Sequence, residues 1–114
     1  MNARKLKLGS IALFCTLTFT FQARADWPPE DLWYKCRGCH GMDGKANTAI
    51  GVKQKIPDFT SPKWQEQRTD EDIRKVIAEG SKKKGSKMKP FKNVFTPAEI
   101  DSLIPYIRKL ATPG

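Results

Sequence analysis

Residues 96–110 carry the clearest hydrophobic pattern of the chain. Thr96 suits a helix cap, Pro97 the first helical turn and Glu99 the third position of a capping box. Pro105 stands inside the pattern, where a proline costs about 3 kcal/mol unless the helix bends. Apolar residues at helical spacing mark one face, which predicts a C-terminal amphipathic helix: Ile100, Leu103, Ile104, Ile107 and Leu110.

A second helix is predicted to begin after Thr69. The segment from Thr69 to Asp72 resembles a capping box, in which side chain and backbone bond reciprocally at a helix start. Gly80 ends the pattern, as glycine commonly does just past a helix. Between them three apolar residues follow helical spacing: Ile73, Val76 and Ile77.

A short first helix is predicted to run from Pro28 and Pro29 into Cys36. Prolines suit the first helical turn, and the two acidic residues that follow favour its positive end. Leu32 and Cys36 lie one turn apart and therefore share a face.

The segments between these helices show little periodicity. Residues 41–59 predict a long loop with turns at Asp43-Gly44 and Ile50-Gly51, and Ser61-Pro62 predicts a brief helical turn that carries Trp64. Residues 81–93 form a second irregular stretch rich in lysine. Because no segment alternates as a strand does, the fold class is predicted to be all-α.

The first 25 residues have the composition of a secretory signal peptide. A basic start precedes an apolar run from Ile11 to Phe21, and Ala23-Arg24-Ala25 matches a small-x-small cleavage site. The run contains three threonines and is shorter than the roughly 20 apolar residues of a membrane span, so an uncleaved anchor is the weaker interpretation. We expect one domain over residues 26–114, exported to the periplasm and without stable membrane insertion. Cys15 is expected to leave with the signal.

Charge narrows the range of partners. Beyond the predicted cleavage site the chain has 17 basic and 12 acidic side chains, a net charge of +5. A basic balance suits nucleic acid, a membrane surface or an acidic protein. Export makes nucleic acid the least suitable of the three. A mature chain of 89 residues has a marginal hydrophobic core, which a bound cofactor would support.

Cys36-Arg37-Gly38-Cys39-His40 is a C-x-x-C-H sequence, the attachment signature of c-type haem. Two thiols at this spacing reach the two vinyl groups of one porphyrin and form thioethers, and the adjacent imidazole then faces the iron. Three other interpretations are weaker. A dithiol redox motif would sit near a βαβ pattern, a closed zinc site needs four ligands, and a disulfide across so small a loop would restrict the unfolded chain little.

With this motif the chain resembles the class I cytochromes c of the short bacterial type, from about residue 30 to 110. The resemblance implies three to four short helices wrapped around one covalent haem c with its iron. It also implies that Leu32 packs against Leu103 and Tyr106. Trp33 and Trp64 would either line the haem pocket or pack as ordinary core.

The resemblance also implies a distal methionine in a loop near a proline and an aromatic residue. Met88-Lys89-Pro90-Phe91 fits this description, although Lys89 separates a methionine and a proline that are adjacent in the commoner pattern. Met88 is therefore predicted to be the axial iron ligand opposite His40. Met42 follows His40 too closely to reach the other haem face. A carbonyl such as that of Pro57 is a candidate acceptor for the second ring nitrogen of His40.

The expected function is that of a soluble electron carrier rather than an enzyme. Two alternatives remain open, a haem-based sensor with an open distal position and an electron-accepting subunit of a larger oxidoreductase. Lysines on both sides of Met88 either form an ordinary solvated surface or rim the haem edge and attract an acidic redox partner: Lys82, Lys83, Lys84, Lys87 and Lys89.

Overall fold

A computed structural model of the protein describes residues 9–18 and 26–113. Their regular structure is entirely helical, which confirms the predicted all-α class, but the six short α-helices exceed the three to four expected. No helix within these residues is long and apolar enough to cross a membrane. The elements are α1 (Pro29–Leu32), the 3₁₀ turn η1 (Trp33–Lys35), α2 (Arg37–His40), α3 (Ala49–Lys53), α4 (Pro62–Gln67), α5 (Asp70–Glu79) and α6 (Pro97–Lys109).

Most of the predicted signal peptide, including its cleavage site, lies outside the described residues. The part that the structure does describe, residues 9–18, is exposed and contains no helix. The boundary at residue 26 therefore stays a prediction.

The two longest helices, α5 and α6, begin at the predicted capping boxes. In α6 the Thr96 side chain accepts a hydrogen bond from the Glu99 amide at 3.1 Å, and Glu99 accepts one from the Thr96 amide at 2.9 Å. Thr69 and Asp72 form the same reciprocal pair at the start of α5, at 3.1 and 3.0 Å. Each box satisfies two amides that would otherwise lack partners at a helix start.

The first helix predicted to run into Cys36 does so, but only residues 29–32 are α-helical and a break to 3₁₀ geometry follows at Trp33. After α1 the chain tightens into η1, where the Cys36 amide bonds to the Trp33 carbonyl at 2.8 Å, and α2 begins only after Cys36. The tighter turn leaves Leu32 and Trp33, adjacent in sequence, both buried, with 5% and 2% of their surfaces exposed. Burial of two large neighbouring side chains favours this break.

The turn predicted at Ile50-Gly51 is wrong, because α3 occupies that position. The Thr48 side chain accepts a hydrogen bond from the Gly51 amide at 2.9 Å and so caps the helix. A side chain at position 51 would collide with the Ala46 carbonyl, since a Cβ atom there would lie 2.1 Å from the oxygen. The predicted turn at Asp43-Gly44 is confirmed, with a φ of +76° at Gly44.

The hydrophobic core lies where α1 and α5 both pack against α6. Leu32 and Leu103 are buried in this core and Tyr106 packs against it, as the family resemblance implied. Pro105 lies on the exposed side of α6. The buried residues of the core are Leu32, Trp33, Phe59, Ile73, Ile77, Phe95, Ile100, Leu103, Ile104 and Ile107.

Candidate haem-attachment site

One turn of the chain carries Cys36, Cys39 and His40. Cys36 is the residue before α2, Cys39 and His40 lie within it, and the His40 amide bonds to the Cys36 carbonyl at 2.9 Å. Both thiols are free. The Thr48 hydroxyl accepts a hydrogen bond from the Gly51 amide and donates one to the Cys39 carbonyl at 2.7 Å, so it joins this turn to α3.

The imidazole of His40 is half-buried against aromatic rings. Its ring stacks on Phe59 with centroids 4.6 Å apart and an interplanar angle of 25°, and the Trp33 ring lies 6.0 Å away. Burial lowers the pKa of His40 to about 4, so the imidazole is neutral at neutral pH, the form that coordinates metals. Its Nδ1 atom is buried and has no hydrogen-bond partner in the described part of the chain, so the carbonyl of Pro57 does not accept from it in this structure.

Phe59, which sequence reasoning missed, is held in place from several sides. Its amide bonds to the Gly44 carbonyl at 2.9 Å, and its carbonyl accepts from Gln65 Nε2 at 2.7 Å. Gln65 Nε2 also bonds to the Ile107 carbonyl at 3.1 Å, and the Trp64 ring lies 4.3 Å from that of Phe59. The only signal in the sequence was an isolated aromatic residue at the end of a loop.

The thiols of Cys36 and Cys39 do not suit the competing chemistries. Burial, and then the neighbouring Cys39, raise the pKa of Cys36 to about 11, whereas a dithiol redox centre depends on a lowered thiol pKa. Among residues 9–18 and 26–113 no group of three or more His, Cys, Asp or Glu side chains is arranged to hold a metal ion. The structure therefore gives no support to a zinc site.

Met88 packs against the hydrophobic core, whereas Met42 is 63% exposed. The Met88 amide donates to Ser86 Oγ at 3.2 Å. Downstream, the amides of Phe91 and Lys92 bond to carbonyls in the last turn of α5 at 2.9 and 3.1 Å. The methionine that the sequence favoured is thus the one held against the interior. Met42 instead lies 3.5 Å from a guanidinium nitrogen of Arg37.

Comparison with known proteins identifies the family. The family model described as cytochrome c oxidase, cbb3-type, subunit III matches residues 30–107. The chain belongs to this family of c-type cytochromes. The cytochrome is 33% identical to the solved KustC0563 c-type cytochrome, a match covering 74% of this chain and 98% of that one with a TM-score of 0.66. A tyrosine-to-phenylalanine mutant of Kustc0563 is similar at 33% identity over 74% and 99% of the two chains, with a TM-score of 0.65. No curated protein matches the cytochrome.

Membership implies a covalently bound haem c with its iron, and electron transfer as the cytochrome's function. The residues present fit this group. Two free thiols lie one helical turn apart beside a neutral imidazole whose Nδ1 atom is buried and unpaired. Trp33 serves as core, and its indole N–H donates to the Gly41 carbonyl just after the motif at 3.0 Å.

Proposed function

We propose that the protein is a periplasmic one-electron carrier with a single c-type haem. Cys36 and Cys39 would bind the haem through thioethers, with His40 and Met88 as the axial iron ligands. When bound, the haem supplies an iron that alternates between two oxidation states. The protein supplies the attachment, the two ligands and the docking surface for its redox partners.

The observation that carries the proposal is the pairing of two free thiols with a half-buried imidazole on one turn. Because Cys36 and Cys39 bracket only two residues, the two thiols could reach the two vinyl groups of one haem, and His40, the next residue, would then supply an iron ligand. The chain contains one C-x-x-C-H sequence, which supports a single haem.

Met88 is proposed as the second ligand because its side chain packs against the core. A thioether stabilises ferrous over ferric iron, so ligation by His40 and Met88 would give a higher reduction potential than ligation by two stronger donors. A closed coordination sphere suits electron transfer, since the iron then does not need to gain or lose a ligand.

The location in the periplasm is supported by the composition of residues 1–25. Asp26 and Trp27, which directly follow the predicted cleavage site, already contact α6. Asp26 accepts a hydrogen bond from Thr96 Oγ1 at 2.9 Å, and the Trp27 amide donates to Glu99 at 3.3 Å. The proposal predicts that the protein is recovered from the periplasm and that its mass equals that of residues 26–114 plus one haem. Measuring this mass would test both the location and the cleavage site.

The decisive experiment is the visible absorption spectrum of the mature protein, recorded oxidised and reduced. Low-spin c-type bands together with the weak sulfur-to-iron charge-transfer band of the oxidised form would support ligation by His40 and Met88. A high-spin spectrum that changes on adding carbon monoxide would contradict it and favour a sensor. Stable co-purification with a dehydrogenase would instead favour a subunit of a larger oxidoreductase.

A further inference from the structure

The side-chain amide of Gln65, on α4, bonds to three other residues. Its Nε2 atom donates to the carbonyls of Phe59 at 2.7 Å and Ile107 at 3.1 Å, and its Oε1 atom accepts from the Arg108 guanidinium at 2.8 Å. A carbonyl only accepts and a guanidinium only donates, so only one orientation of the amide satisfies all three bonds. Gln65 is therefore held in one position between α6 and the segment that precedes α4.

The backbone of Phe59 is bonded on both sides of its side chain. The carbonyl accepts the bond from Gln65, and the amide donates to the Gly44 carbonyl at 2.9 Å. The Phe59 ring is buried, stacks on the His40 imidazole with centroids 4.6 Å apart, and lies 4.3 Å from the Trp64 ring. These bonds and contacts leave Phe59 little freedom to move away from the imidazole.

The position of Phe59 matters because no hydrogen bond orients the His40 ring in this structure. A histidine that binds a metal ordinarily donates its second ring nitrogen to a carbonyl or a carboxylate, which fixes the plane of the ring. The Nδ1 atom of His40 is buried and has no such partner among the described residues. Contacts with neighbouring rings therefore hold the imidazole, and Phe59 is nearer than Trp33, at 4.6 Å compared with 6.0 Å between centroids.

We propose that Gln65 is a positioning residue for the iron ligand His40, because its bond to the Phe59 carbonyl holds the Phe59 ring against the imidazole and so fixes the imidazole plane. This inference rests on the proposed carrier function, in which His40 binds the haem iron. It gives α4 a part in the ligand geometry that the C-x-x-C-H turn does not supply. The residues around a metal ligand also control solvent access and thereby the reduction potential.

Gln65→Leu tests the proposal, because leucine fills a similar volume but donates no hydrogen bond. The matched control is Gln67→Leu, since Gln67 is an exposed residue of the same helix. Electron paramagnetic resonance of the oxidised protein reports the imidazole orientation through its g values, and voltammetry gives the reduction potential. We expect Gln65→Leu to shift and broaden the g values and to lower the potential, because a loosened ring admits water beside the ligand. The same g values and potential in both variants would overturn the proposal.

A double variant shows whether Gln65 acts through Phe59. Phe59→Leu keeps an apolar side chain but removes the planar face that stacks on His40. If Gln65 acts by holding this ring, Gln65→Leu/Phe59→Leu has the same shift in potential as Phe59→Leu alone, whereas additive shifts would overturn the proposal. If Gln65→Leu does not fold, Phe59→Leu still tests the ring contact, and g values equal to those of wild type would overturn it.

A merely structural role for Gln65 would lower stability without changing these two signals. Asp72→Asn serves as a destabilised control, because it weakens the capping box of α5, to which Gln65 does not belong. We expect wild-type g values and potential in Asp72→Asn. Equal changes in Asp72→Asn and Gln65→Leu would show that stability alone is measured and would overturn the positioning role.

Failure of this inference is distinguishable from failure of the proposed function. A wild-type protein that is reversibly reduced at an electrode, in which Gln65→Leu behaves as Gln67→Leu, would remove the role of Gln65 and leave the carrier. A protein without reversible one-electron reduction would remove the carrier itself.

Discussion

Gly80, at the end of α5, combines a left-handed backbone with a close contact to the Met88 segment. Its φ is +78°, and a Cβ atom there would lie 2.8 Å from the Met88 carbonyl oxygen. Gly85, in the same loop, has nearly the same φ, +81°, but a Cβ there would meet nothing within 4 Å. Substitutions at these two glycines therefore separate the energetic cost of the left-handed backbone from the cost of a steric collision with the Met88 segment.

We expect Gly80→Ala to weaken or abolish the sulfur-to-iron band and to lower the reduction potential, while the haem stays attached. The added methyl group displaces the Met88 backbone, whereas Gly85→Ala carries only the backbone strain, about 1–2 kcal/mol. Visible spectra and voltammetry of both variants provide the measurement. Equal losses of the band in the two variants would show that strain alone, and not the contact with Met88, matters.

At the scale of elements, Arg108 connects the end of α6 to the junction of α4 and α5. Its guanidinium donates to the Gln65 carbonyl and side chain at 2.8 Å each, to the Arg68 carbonyl at 2.6 Å and to Asp70 at 2.8 and 3.0 Å. Gln65 in turn bonds to the Phe59 carbonyl, so the ring that stacks on His40 belongs to the same network.

Arg108→Lys is expected to reduce the free energy of unfolding by about 2 kcal/mol, because a lysine cannot reproduce a planar set of five donors. Arg74→Lys is the control, since Arg74 pairs with Glu71 and Asp101 at the surface, where such pairs contribute less than about 1 kcal/mol. Denaturant unfolding followed by circular dichroism measures both. Similar losses in the two variants would contradict a special role for Arg108.

The capping box of α5 predicts a pH dependence of stability. The Thr69 amide donates to Asp72 and holds the pKa of that carboxyl below its ordinary value. Because this pKa is lower in the folded protein than in the unfolded chain, the charged carboxylate stabilises the fold at pH values above its ordinary pKa. The stabilisation is lost as the pH falls through the folded-state pKa. The negative charge also suits the positive end of the helix.

Asp72→Asn should therefore be less stable than wild type at about pH 7, with the difference shrinking toward about pH 2. Urea unfolding at a series of pH values would measure it. Glu66→Gln, which removes an exposed carboxylate outside any capping box, is the control. A difference between wild type and Asp72→Asn that is constant with pH would contradict the linkage.

The sequence predicted the elements whose signals are local. Ser61, Thr69 and Thr96 each cap the helix expected after them, and the C-x-x-C-H turn is contiguous along the chain. It did not predict α3, because the capping residue of that helix, Thr48, is followed by a glycine-containing segment without apolar periodicity. It also did not predict the break at Trp33, which depends on burial against α6. The contacts of Phe59 and Gly80 were missed as well, because their partners are distant in sequence or lie in an irregular loop.

For the whole molecule, the uneven charge predicts how association responds to salt. Lys83→Glu/Lys84→Glu is expected to slow reduction by an acidic donor at low ionic strength and to flatten the dependence on salt, because the steering field weakens. The control for net charge is Lys63→Glu/Lys75→Glu, which changes the net charge equally through exposed lysines on α4 and α5. Stopped-flow rates over a range of salt concentrations provide the measurement, and rates equal to those of the control at low salt would contradict steering by these lysines.

The hydrogen bond between Lys87 and Gln54 joins the lysine-rich residues 81–93 to α3. If these lysines attract a partner, as we predict, the same charges would still face it after the electron has moved. A shuttle must leave its donor before it can visit its acceptor. At ordinary ionic strength, salt screens the attraction between such charges beyond about 10 Å, so the attraction favours brief encounters over long-lived complexes. The ionic strength around the protein would then set how many partners one molecule serves in a given time.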